Sequence, residues 1–164
     1  MLESEEGQLN AVFACYGSAA QHGQFFEESV TRLIVALNEM SGSEGGAEKM
    51  EKWTLGRLLN YFQEKFVHQI DEWVPEHLEE GRRLRNFLIH DYFLERKGKF
   101  RTRKGRMAML TELLDIEQHL KRGADLLNGL RVAVGEALDG RTGRASEGEE
   151  VVFSVELDVR TRDA

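Results

Sequence analysis

Along the first forty residues the positions Leu9, Val12, Tyr16, Ala19, Gly23, Phe26, Val30, Leu33 and Leu37 recur at alternating steps of three and four. That rhythm is the seam of a long helix lying lengthwise on a neighbour, and it predicts a helix over roughly residues 4–40. Met109, Leu113, Ile116, Leu120, Gly123, Leu127, Leu130, Val134 and Ala137 repeat it near the other end, with Gly140 as the stop. Gly23 and Gly123 fall mid-helix on their seams, so an antiparallel pairing of the two long helices would set them face to face. The alternative is a pair of incidental glycines.

Two shorter helices are expected between them. Thr54 is an N-cap, with Trp53 before it placed to staple onto Leu58, and the helix it starts would end near Ile70. Pro75, the only proline, suits the first turn of a third helix running to about Arg96. The segment from Ser41 to Ala47 loses all periodicity and reads as a loop. It is no phosphate cradle, because no Gly-Lys-Ser/Thr follows.

The resulting fold class is all-α, an up-and-down four-helix bundle over residues 1–140 with a C-terminal tail over 141–164. In that tail Val151, Phe153, Val155, Leu157 and Val159 alternate with a period of two, a strand signal without a second convincing strand. The tail must pair between subunits, lie extended on the helices, or stay disordered.

Composition narrows the function classes. A chain of 164 residues, 41% hydrophobic, is long enough for one core and too short for a second full domain. Its single cysteine, Cys15, excludes an internal disulfide framework and a Cys-rich zinc site, so a cytoplasmic setting is expected with Cys15 in the core. Met1 to Glu6 lacks the basic start and apolar run of a signal peptide, and no stretch approaches the ~20 apolar residues of a membrane span. A net charge of −7 argues against bulk, charge-driven nucleic-acid binding. His22, His68, His77, His90 and His119 are scattered without metal-ligand spacing, so no metal and no cofactor is expected. Asp115 and His119, one turn apart, read as a surface pair.

The chemistry concentrates between Arg82 and Arg96. On an ideal helix at about 100° per residue, Arg82, Arg83, Arg85, Asn86, His90 and Tyr92 share one arc, while Leu84, Phe87, Leu88 and Leu94 take the other side. Ile89 and Phe93 mix into the polar arc, the composition of a surface that a partner partly covers. The connector that follows carries Arg96, Lys97, Lys99, Arg101, Arg103, Lys104 and Arg106 around Phe100. This basic run could guide an RNA backbone while Phe100 stacks on a base. It also suits a solvated loop complementing a helix C-terminus.

Arg85-Asn86-Phe-Leu-Ile-His90-Asp-Tyr92 resembles the Arg-x4-6-His signature of the HEPN superfamily. It is similar to the Arg-x4-His-x-Tyr form of HEPN toxins that pair with a nucleotidyltransferase antitoxin. The resemblance implies a homodimer whose paired motif helices form one composite cleft, and a metal-independent endoribonuclease activity. In that reading His90 moves a proton, Arg85 holds the phosphate and Asn86 orients it. The resemblance also implies that Tyr92 is a regulatory acceptor of AMP. Arg82, Arg83 and the connector residues Arg96, Lys97, Lys99, Phe100, Arg101, Arg103 and Lys104 are the RNA-binding candidates. The competing expectation is a non-catalytic dimer serving as a binding or antitoxin-like partner.

Overall fold

The structure is a computed structural model that describes residues 4–40, 53–66 and 73–142. The expected loop at 41–47, the end of the second helix near Ile70 and the alternating tail at 151–159 lie outside the described residues. Among the described residues the elements are helical: α1 (Glu5–Met40), α2 (Leu55–Phe66), α3 (Trp73–Asn86), a π turn (Phe87–Asp91), α4 (Tyr92–Phe100) and α5 (Arg103–Thr142). None of these helices is long and apolar enough to cross a membrane.

Hydroxyl caps start three of the helices, satisfying amides that have no helical partner. Ser4 Oγ accepts from the Gly7 amide at 3.1 Å, and Thr54 Oγ1 accepts from the Arg57 amide at 3.4 Å. Trp53 packs against the Tyr61 ring and under the Arg57 guanidinium. Thr102 caps α5, its Oγ1 accepting from the Gly105 amide at 3.0 Å. A Cβ on Gly105 would collide with the Lys99 carbonyl, so only glycine lets the α4–α5 turn close this tightly.

The seams behave as the periodicity predicts. On α1, Val12, Ala19, Phe26, Val30, Leu33 and Leu37 are buried; on α5, every seam position from Met109 to Val134 is buried. Direction is another matter. Arg106 at the start of α5 donates to Gln8 at the start of α1, Ser18 donates to Glu117, and Phe26 meets Gly123. These pairs advance together, so α1 and α5 run parallel, whereas an up-and-down order would set them antiparallel. The reason lies between them: α3, the π turn and α4 form one continuous return pass, and the two-residue turn after Phe100 sends α5 off beside the beginning of α1. Strict up-and-down order does not hold for the first and last helices.

Nor do Gly23 and Gly123 face one another. Gly123 and Gly81 both serve Phe26, whose ring is 0% exposed. A Cβ on Gly81 would stand 2.5 Å from Phe26 Cζ, and one on Gly123 would stand 2.9 Å from Cε2. The ring of α1 thus lies between bare backbone of α3 and bare backbone of α5, joining three helices at one level.

Arg106 ties the opposite end. It is 5% exposed and donates to Gln8 Oε1 at 3.0 Å, Glu5 Oε1 at 3.3 Å and the Phe100 carbonyl at 3.1 Å. A buried guanidinium is tolerable only with such partners.

Alanine at Gly81 or Gly123 should destabilise the fold by about 1–3 kcal/mol through overpacking against an immovable ring, despite the ~1 kcal/mol that alanine gains over glycine in a helix. Gly17 and Gly129 have no atom within 4 Å of such a Cβ, so Gly17→Ala and Gly129→Ala should raise stability. Urea unfolding of the four variants checks both signs; a stabilised Gly81→Ala would contradict the packing described.

Candidate functional site

The motif Arg85 to Tyr92 crosses the end of α3 and the whole π turn. In this wide turn the Tyr92 amide donates to the Phe87 carbonyl, five residues back. Tyr16 of α1 supplies an outside partner, its hydroxyl donating to the Leu88 carbonyl at 3.0 Å. One residue more per turn rotates everything downstream relative to an ideal α-helix. The regular wheel is therefore right before the turn and wrong after it.

Leu88 is buried and Leu84 and Phe87 pack against the core, as the wheel has them. Leu94, assigned to the apolar side, is 68% exposed. Tyr92, assigned to the polar arc, is 1% exposed. Its hydroxyl donates to the Met109 carbonyl at 3.2 Å, and burial, with Glu112 nearby, holds its phenol well above the ordinary value. A modifying enzyme could reach this oxygen only after the side chain left the core.

Arg85 meets Glu27 of α1 and its own neighbour Asn86. Arg85 Nη2 donates to Glu27 Oε2 at 2.8 Å, and Nη1 donates to Asn86 Oδ1 at 3.2 Å. Both ion-pair side chains are about a quarter exposed, 25% for Arg85 and 27% for Glu27. His90 is exposed on the π turn next to exposed Ile89. Arg85, Asn86 and His90 thus come from consecutive turns of one helical pass, with Glu27 added across 58 residues of sequence.

The other basic candidates divide sharply. Arg82 and Arg83 pair with Glu79 and Glu80 one turn back on α3, and each carboxyl is held below its usual range by its arginine. Arg96 binds Glu112 through Nε and Nη2 and also reaches Glu95, while Lys99 joins Glu112 at 3.7 Å. Lys97, Arg101, Arg103 and Lys104 stay exposed and unpaired among the described residues. The connector is not a loop: all but the turn at residues 101 and 102 is helical. Phe100 has aromatic neighbours of its own. It is half-buried, with the rings of Phe13 and Phe93 at 5.6 and 5.8 Å.

A groove of roughly 830 Å³ runs between the motif pass and α5. Arg82, Arg83, Arg96 and Lys99 line it, opposed by Asp91, Glu95, Glu112 and Asp115. Four cations against four anions leave its lining neutral. An RNA backbone gains nothing from such a track.

His119 stacks on His77 of α3 rather than pairing with Asp115. Their ring centroids are 4.3 Å apart and their planes 29° apart, and His119 Nε2 is buried without a hydrogen-bond partner. Cys15 is half-buried, where burial, with Glu117 nearby, raises its thiol. No group of three or more histidine, cysteine, aspartate or glutamate residues among those described could hold a metal ion.

No family model, no curated protein and no solved structure matches the chain.

Two outcomes follow from these contacts. Tyr92→Phe should cost about 1 kcal/mol by leaving the Met109 carbonyl without its donor, read by urea unfolding. Burial, the neighbouring His119 and Arg122 together hold His77 below its ordinary value. The native state therefore binds fewer protons there than the unfolded chain, and this stability, present above the unfolded pKa, is lost as pH falls through the folded one. The urea midpoint should drop from about pH 7.5 to about pH 5.5, above the carboxylate range. His77→Gln should flatten that slope; an unchanged slope would remove His77 as its source.

Proposed function

We propose that the chain is a HEPN-type, metal-independent endoribonuclease of the toxin or defence-effector kind. On this reading residues 1–140 form a HEPN-like bundle that acts in the cytoplasm as a homodimer, its paired motif faces making one cleft. The observation that carries the reading is the π turn inside the Arg-x4-His motif. It leaves His90 in solvent one turn from a guanidinium already held in place, and local widening of this kind is frequent at functional sites.

The chemistry follows from the side chains. His90 takes the proton of the ribose 2′-hydroxyl or gives one to the leaving oxygen. Arg85 stabilises the extra charge on the phosphate with its remaining N–H donors, and Asn86 orients the phosphate or ribose. Of the basic candidates, Lys97, Arg101, Arg103 and Lys104 are the ones left to draw in an RNA backbone. Exposed Ile89, Phe13 and Leu94 supply apolar area for a second copy to cover. Regulation by AMP transfer from a nucleotidyltransferase antitoxin to Tyr92 would require that side chain to leave the core first.

A second reading is favoured by a different observation: Arg85 is already neutralised by Glu27, and the adjoining groove has a balanced charge. In that reading the motif face assembles a non-catalytic dimer that binds a partner.

Cleavage of single-stranded RNA in EDTA separates the two. Arg85→Ala and His90→Ala should each lower the rate by about 10²–10⁴-fold. Undiminished cleavage in both variants, or none by the wild-type chain, would leave the binding reading standing.

A further inference from the structure

Arg85 is the one motif residue with a long, flexible stem, and α1 holds it at two points. A Cβ on Gly23 would stand 3.2 Å from Arg85 Cγ and 3.8 Å from its Cβ. The aliphatic stem therefore crosses α1 over a residue without a side chain. One turn further along the same face, Glu27 Oε2 receives Nη2 at 2.8 Å. Gly23 is the notch and Glu27 is the stop, and their four-residue spacing places both under one side chain.

The stop takes only part of the guanidinium. Glu27 contacts one nitrogen and Asn86 another, each through a single hydrogen bond. Arginine carries five N–H donors in a rigid fork, so Nε–H and one N–H on each Nη have no partner among the described residues. A side chain fixed this way is pre-organised for an oxyanion and still able to grip it. A bidentate carboxylate would have occupied an edge of the fork and blocked it.

We propose that Gly23 and Glu27 of α1 are positioning residues for Arg85, presenting its free donors to the phosphodiester of an RNA strand bound beside His90. The assignment rests on the ribonuclease reading for its ligand, but the geometry can be tested without it. Glu27 acts through Arg85 and does not touch the substrate. Its useful property is an acceptor oxygen at a fixed place, and its charge is secondary. Glutamine at this position keeps the oxygen and alanine removes it.

The test compares wild type, Glu27→Gln, Glu27→Ala and Gly23→Val, with Arg85→Ala to assign its signal. One readout is the Arg85 Nε–Hε resonance, which reports side-chain restraint whether or not the protein is active. The other is kcat and KM on single-stranded RNA in EDTA, with thermal melting alongside. Glu27→Gln should keep the restrained resonance and kcat. Glu27→Ala should lose the resonance and about 100-fold in kcat, with KM and melting little changed. Gly23→Val should displace the stem and follow Glu27→Ala. A resonance indifferent to Glu27→Ala overturns the proposal, as does a glutamine variant that fails as badly as alanine. Wild-type protein that cuts no RNA would sink the ribonuclease reading, while the resonance pattern still decides what holds Arg85.

Discussion

One aromatic ring sets the spacing of three helices. Phe26 is completely buried, and α3 and α5 can approach it only because each offers a glycine at that level. The ring occupies the volume that two side chains would otherwise fill, and its rigidity converts that volume into a fixed distance between backbones. Everything in the candidate site inherits this geometry. Arg85 leaves α3 one turn after Gly81, and Glu27 directly follows Phe26, so the Arg85–Glu27 contact is the solvent-side edge of the same joint. A helix displaced at the ring would separate the ion pair as well.

The distribution of charge tells a related story. The chain is acidic overall, yet its basic residues cluster around one helical pass, and the structure neutralises most of that cluster internally. Arg82, Arg83, Arg85, Arg96, Lys99 and Arg106 all have carboxylate partners. The partially exposed pairs contribute little to stability individually, but they decide which cations can meet a ligand. Counting basic residues along this stretch overestimates the charge it offers to a nucleic acid; among the described residues, pairing reduces the cluster to a short run near the α4–α5 turn together with the unused donors of Arg85.

How legible was this beforehand? The seams of α1 and α5 were readable almost residue by residue, because a buried stripe leaves a periodic trace in any sequence that folds this way. Their parallel direction was not, since periodicity identifies a face and says nothing about which way the neighbour runs. The π turn carries no compositional signature. A single extra residue was enough to put Tyr92 inside and Leu94 outside, reversing two assignments made from an otherwise sound wheel. Thr102 was a missed signal: a hydroxyl residue three positions before Gly105, at the edge of a periodic segment, is a cap, and reading it would have turned the supposed connector into two helix ends. The Arg85 contact with Glu27 joins residues 58 apart, beyond the reach of any local pattern.

The parallel pairing of the two longest helices also has a bearing on how the chain is made. Its ties join residues 98 and 99 positions apart, Gln8 with Arg106 and Ser18 with Glu117. Such long-range closure slows folding, because the entropy of the intervening loop is lost before any contact compensates for it. On the ribosome, α1 emerges with its apolar stripe uncovered and waits for most of the remaining chain to be synthesised. Through that interval the nascent segment is a natural client for chaperones.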